Sequence, residues 1–84
     1  MSAQERAEQV SFLRRRCRNR EMQALLIRAV RDPALLKVRQ TSSGILLTGP
    51  YGSASTHYTS SDFRAVKNFR ARLRQIGLVS RKDL

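Results

Sequence analysis

The sequence predicts an α+β fold: a small three-stranded antiparallel meander packed against helices, in the order helix, helix, strand, strand, strand, helix. Two observations predict it. Apolar residues recur at helical spacing from Ala3 to Val30 and again from Phe63 to Ile76, and between them, from Leu36 to Thr59, the pattern changes to short alternating or apolar runs cut by Gly, Ser and Pro. With 84 residues the chain has room for one domain, which buries about two thirds of its unfolded surface.

In the N-terminal segment Ala3, Ala7, Val10, Leu13 and Cys17 follow one another in steps of four, three, three and four, the signature of one buried helix face. Ser2 is placed to cap this helix, with Glu5 at the third helical position to complete a capping box, and Glu5 and Glu8 lie near the positive end of the dipole. Cys17, on the stripe, reads as a small core residue. The stripe loses phase near Asn19 and resumes at Met22, Leu25, Leu26, Ala29 and Val30, so the helix breaks, bends or changes partner there. Asp32-Pro33 ends the second helical pattern, because the residue before a proline is pushed out of the helical region.

From Leu36 to Thr41 the pattern alternates, so that Leu36 and Val38 are expected to face a core while Lys37 and Arg39 face water. Ser42-Ser43-Gly44 reads as a turn, Ile45-Leu46-Leu47-Thr48 as a short apolar strand, and Gly49-Pro50-Tyr51-Gly52 as the next turn. Ser53 to Thr59 makes a third strand, with Ala54, Thr56 and Tyr58 on one face and Ser55, His57 and Thr59 on the other. Ser60 or Ser61 is placed to cap the last helix, with Asp62 in its first turn and Phe63, Val66, Phe69, Leu73 and Ile76 as its apolar stripe. Gly77, followed by Leu78, is the expected Schellman-type stop. Phe63 and Phe69 accordingly read as core residues. Tyr51, in a Gly-Pro turn, reads as folding over the sheet, with base stacking as the other use of it and of Tyr58.

Charge is the strongest indicator of function. Seventeen Lys or Arg against six Asp or Glu give a net charge of +11, and fourteen of the seventeen are arginine. Such an excess destabilises a lone compact chain by self-repulsion, whereas beside a polyanion it becomes favourable through neutralisation and counterion release. Arginine also holds phosphate bidentately and stacks on bases. The charge falls in two blocks: Arg14, Arg15, Arg16, Arg18 and Arg20, then Arg64, Lys67, Arg70 and Arg74 with Arg72 among them. Part of the first block complements the C-terminal end of its helix, but five arginines in seven residues exceed what that use requires. Thr41 to Ser61 contains neither Lys nor Arg.

Other classes are argued against. No run of about 18 apolar residues is present to span a bilayer, and Met1 to Glu5 lack the basic-then-apolar order of a signal peptide, so the expected location is the cytoplasm. One cysteine and one histidine, Cys17 and His57, give no basis for a metal site, and no cofactor is expected. Gly49 to Gly52 does not match a phosphate loop, which needs a longer Gly-rich pattern with Lys opening a helix.

Three segments carry a resemblance: Val38-Arg39-Gln40-Thr41-Ser42-Ser43-Gly44, Thr48-Gly49-Pro50-Tyr51-Gly52, and Thr59 to Leu78, which opens Thr59-Ser60-Ser61-Asp62-Phe63-Arg64-Ala65-Val66-Lys67-Asn68. From Glu21 to Leu78 the chain resembles the HicA-type toxins, small proteins with a double-stranded-RNA-binding-domain-like fold. The last segment is similar to the Thr-x-Ser-Asp-x-Arg-Ala-x-x-Asn ending of short actinobacterial and actinophage members. The resemblance implies a domain at 21–78, preceded by a basic helical extension at 1–20 and followed by a short tail at 79–84. It also implies a bacterial or phage-infected host cell, and an antitoxin as a possible class of partner. Those toxins cut mRNA with a histidine just after a Gly-Ser on the first hairpin, where this chain has Gly44 or Ile45.

His57 lies one strand later and has no obvious acid or base to assist it. The expectation is therefore a nucleic-acid-binding module of low sequence specificity and without catalysis, RNA favoured over DNA, and the resemblance implies duplex RNA read by shape across its minor groove. Phosphate contacts would come from Arg14, Arg15, Arg16, Arg18, Arg20, Arg64, Lys67, Arg70 and Arg74, joined by Lys37 and Arg39 if the sheet edge shares the surface. Two alternatives stand beside it. One is a ribonuclease using His57. The other is an interaction module whose N-terminal helix docks on an acidic host protein or pairs with a second copy, in which case its apolar stripe would be exposed in the monomer.

Overall fold

The computed structural model describes residues 2–58 and 63–78, and its elements follow the predicted order: α1 Ala3–Arg16, α2 Arg20–Arg31, β1 Lys37–Gln40, β2 Gly44–Gly49, β3 Gly52–His57 and α3 Phe63–Gln75. The expected cap at Ser60 or Ser61, with Thr59 and Asp62, lies outside the described residues, as does the expected tail from Val79 to Leu84.

The break after α1 has a local cause. Cys17 leaves the helix in an extended conformation, and the Asn19 carboxamide oxygen accepts from the backbone N–H of Glu21 (2.9 Å) and Met22 (3.1 Å), which caps a new helix. At the other end of α1, Ser2 Oγ accepts from the Glu5 N–H at 3.1 Å and the Glu5 carboxylate reaches back to the Ser2 N–H, the predicted capping box. The two helices are antiparallel neighbours, held at their interior turn by the Gln23 side chain, which donates to the Cys17 carbonyl at 3.0 Å.

The buried face of α1 differs from the predicted stripe in its first half. Val10, Leu13 and Cys17 are buried, but Ala3 and Ala7 are exposed, and Arg6 takes the inward position instead. Its Nη1 donates to the carbonyl oxygens of Val30 (2.6 Å) and Asp32 (2.5 Å), so the start of α1 packs on the C-terminal carbonyls of α2, where a cation is favoured over a methyl group.

β1, β2 and β3 form an antiparallel meander in sequence order, with Val38 opposite Leu47 and Leu47 opposite Ala54. This row, and the neighbouring row of Gln40, Ile45 and Thr56, faces the helices: Gln40 donates to the Gln9 side chain of α1 at 2.5 Å, and Thr56 Oγ1 lies 3.9 Å from Met22 Sδ of α2. Leu36 departs from expectation at 62% exposure. The row it extends carries Gly49 and Gly52, so there is no cross-strand side chain for it to pack on.

α3 packs on β3, burying Val66, Phe69 and Leu73, and closes as predicted. Gly77 has φ +85°, its N–H donates to Arg74 O (3.1 Å), and the Leu78 N–H donates to Leu73 O (2.9 Å), the paired bonds of a Schellman motif. Phe63, expected in the core, is instead 68% exposed. Successive steps of three from Phe63 to Val66 to Phe69 carry it about 120° round the helix from Phe69, away from the sheet.

One core joins these elements. Val10, Leu13 and Cys17 belong to the same buried cluster as Leu26, Ile45, Leu47, Tyr58 and Leu73, so the N-terminal helix is packed into the sheet-containing unit. Among the described residues, no helix is long and apolar enough to cross a membrane.

Candidate nucleic-acid interface

α2 separates its surfaces by helical period. Met22, Leu25, Leu26, Ala29 and Val30 point inward, which leaves Arg20, Ala24, Ile27 and Arg31, spaced i, i+4, i+7 and i+11, along its outer face, with Arg28 beside them. On α3, Phe63, Lys67, Arg70 and Arg74 repeat the same spacing as a stripe along one flank of the buried face. Between α2 and the start of α3 lies an open groove of about 1240 Å³. Arg14 from α1, Arg28 and Arg31 from α2 and Arg70 from α3 line it, together with the exposed Phe63 ring and the partly apolar wall of Ala24, Leu25 and Ile27. Two carboxylates, Glu21 and Asp32, also border it; Asp32 Oδ1 accepts from the Ala34 N–H at 2.9 Å. Four guanidiniums against two carboxylates leave the groove positive.

The fold therefore splits the first basic block. Arg14 turns toward α2 and the groove, and Arg15, Arg18 and Arg20 are exposed. Arg16 is drawn to the sheet, where its Nη2 donates to Ser42 O (3.4 Å) in the β1–β2 turn and its guanidinium carbon stands 5.9 Å from the Tyr58 ring centroid. Of the second block, Arg70 reaches the groove, Lys67 and Arg74 continue its flank, and Arg64 is exposed farther round α3. Lys37 and Arg39 do not join this surface. They alternate with Val38 and Gln40, so they lie on the sheet face turned away from the helices.

Arg28, Arg31 and Phe63 are the groove residues that sequence reading missed. Arg28 and Arg31 belong to no run of cations, yet both fall off the Met22-to-Val30 stripe, and that offset is the signal that identifies them.

Tyr51 departs from its expected place, whereas Tyr58 lies on the buried face with Ala54, as its position in β3 predicts. Tyr51 is 80% exposed and rests against Gly77 rather than over the sheet. Tyr58 is buried, edge-on to Phe12 at 5.5 Å between centroids, and among the described residues its hydroxyl has no hydrogen-bond partner. Burial pushes the Tyr58 phenol above its ordinary pKa, with nearby Arg16 opposing and Cys17 adding to the shift. Burial likewise raises the Cys17 thiol, against a smaller lowering contribution from the Asn19 backbone.

His57 is exposed on the outer sheet face, in a shallow cleft of about 210 Å³ lined by Thr41, Ser43, Gly44, Ile45, Leu46, Ser55 and Thr56, where among the described residues it is the only ionisable side chain. Gly44 is buried directly opposite it, and a Cβ there would overlap the Thr56 carbonyl oxygen, so the first hairpin has no room for a side chain at that position. Among the described residues, no group of His, Cys, Asp and Glu is placed to hold a metal. Val10, Leu13 and Cys17, on which docking through the N-terminal helix would depend, are covered within the chain.

No protein-family model matches the chain, and neither a curated protein nor a solved structure is detectably similar to it.

Proposed function

We propose that this protein is a small nucleic-acid-binding module, with RNA favoured over DNA, that acts by binding and not by cutting. The observation that carries this reading is the convergence of Arg14, Arg28, Arg31 and Arg70, drawn from three helices, on one open groove beside an exposed aromatic ring. In a chain of net charge +11 such a cluster persists against self-repulsion, and a phosphate backbone relieves that repulsion. The preference for RNA rests on the resemblance to HicA-type toxins, as does a role in interfering with or regulating processes in a bacterial host. The binding-only reading rests on the expected catalytic histidine position of the resemblance falling at Gly44 or Ile45, and on His57 having, among the described residues, no other ionisable group in its cleft.

The test is fluorescence anisotropy with labelled RNA and DNA across a salt series. Affinity is expected to fall log-linearly, by roughly one log unit per log of salt for each phosphate contact. Replacing Arg14, Arg28, Arg31 and Arg70 together by Gln is expected to flatten that slope by about four units at most, and replacing Lys37 and Arg39 to change it less. Undetectable binding to both nucleic acids at low salt overturns the proposal. Incubation with a long RNA is expected to leave it intact; cleavage that disappears in His57→Ala overturns the binding-only reading.

A further inference from the structure

We infer that the groove between α2 and α3 takes a single-stranded RNA segment, with one unpaired base seated on the Phe63 ring and the flanking phosphates held by Arg14, Arg28, Arg31 and Arg70. This rests on the nucleic-acid reading above and names the form of nucleic acid the site accepts, a single strand in place of the duplex that the resemblance implies.

Three features separate a single strand from a duplex. First, Phe63 is 68% exposed in the first turn of α3 and lines a groove whose other polar residues are mainly cationic. An aromatic face so placed gains by stacking, and only an unpaired base offers a π face to it, because in a duplex both faces of each base are already stacked. Second, the arginines line the groove with Phe63, so phosphate contacts and a stacked base occupy the same track; a duplex would hold its phosphates against the cations and leave the ring facing a polar groove. Third, the groove, at about 1240 Å³, exceeds the roughly 300–1,000 Å³ that suits one small ligand, so it has room for more than one nucleotide. Glu21 and Asp32 disfavour phosphate at their own positions and leave base or sugar edges to pass there.

The sequence contains no tryptophan, so Phe63→Trp places a single indole fluorophore in the groove of the full chain. A 12-nucleotide single-stranded RNA is expected to quench this indole on binding, and a blunt duplex of the same sequence to leave it unquenched. With the native protein the single strand is expected to bind about tenfold more tightly than the duplex. Phe63→Ala, which removes an exposed ring, is expected to weaken single-strand binding by about tenfold, with Phe63→Trp retaining it and duplex binding unchanged. A parallel arm with single-stranded DNA is expected to bind more weakly than RNA. Duplex binding as tight as single-strand binding, or single-strand affinity indifferent to Phe63→Ala, overturns this inference while leaving the general nucleic-acid reading in place. Absence of binding to every probe overturns both.

Discussion

Cys17 and Tyr58 show at the level of single residues how burial sets chemistry. The thiol and the phenol are both buried, and both are held toward their neutral forms. A pKa raised by folding means that the unfolded chain releases its proton first. Stability is therefore unaffected by these groups below their unfolded values, about 8.5 for a thiol and about 10 for a phenol, and declines as pH rises through and beyond them. Thermal unfolding followed from pH 7 to 10.5 is expected to show this decline, and Cys17→Ala is expected to remove its earlier part. A melting temperature that rises across that range in the native chain would contradict the assignment. Arg6 illustrates the converse, a charge used internally: two carbonyl oxygens at the end of α2 receive it, so it belongs to the structure rather than to the binding surface.

At the level of elements, the caps decide where helices begin. Asn19 satisfies two backbone donors that would otherwise be orphaned at the start of α2, so Asn19→Ala is expected to cost about 1 kcal/mol, read as a lower urea midpoint with an unchanged slope. Such signals were legible in the sequence. The capping box at Ser2 and Glu5, the stop at Asp32-Pro33 and the Gly77-Leu78 ending each depend on residues within a few positions of one another, and each is found in the fold. Leu36, Ala3, Ala7 and Phe63 mark where this legibility ends. Each has the right period for burial, but period alone gives a side chain's direction and not the extent of the partner surface. Leu36 lies beside two glycines, Ala3 and Ala7 give way to Arg6, and Phe63 begins a helix whose first turn borders the groove. The groove itself was half legible: Arg14 and Arg70 stood out in basic blocks, whereas the offset of Arg28 and Arg31 from the buried stripe marks them as outward-facing but does not place them in a groove until α3 is set beside α2.

Across the whole molecule, the net charge of +11 is concentrated on a body of 27 × 26 × 21 Å. Repulsion among so many like charges opposes the compact state, and salt screens it over a Debye length of about 8 Å at physiological ionic strength. The melting temperature of the free protein is therefore expected to rise between 10 mM and 300 mM sodium chloride, over the same range in which the proposed affinity for RNA is expected to fall. A melting temperature that drops with salt would show that attractive ion pairs dominate the electrostatics. The opposite signs are a joint expectation of the proposed function: conditions that loosen the proposed complex strengthen the protein alone, and nucleic acid, if bound as proposed, restores what low salt removes.

Lys37 and Arg39 stand apart from that surface, on the outer face of a four-residue strand at the open edge of the sheet. An uncovered edge is a template on which another copy can add its own strand, and short length and positive charge are two means by which proteins discourage it. Two copies approaching edge to edge would bring like charges together. The pair that lies off the proposed RNA groove is thus well placed to keep the sheet from growing, and Lys37→Thr with Arg39→Thr is expected to make the free protein sediment faster than the native chain at the same concentration.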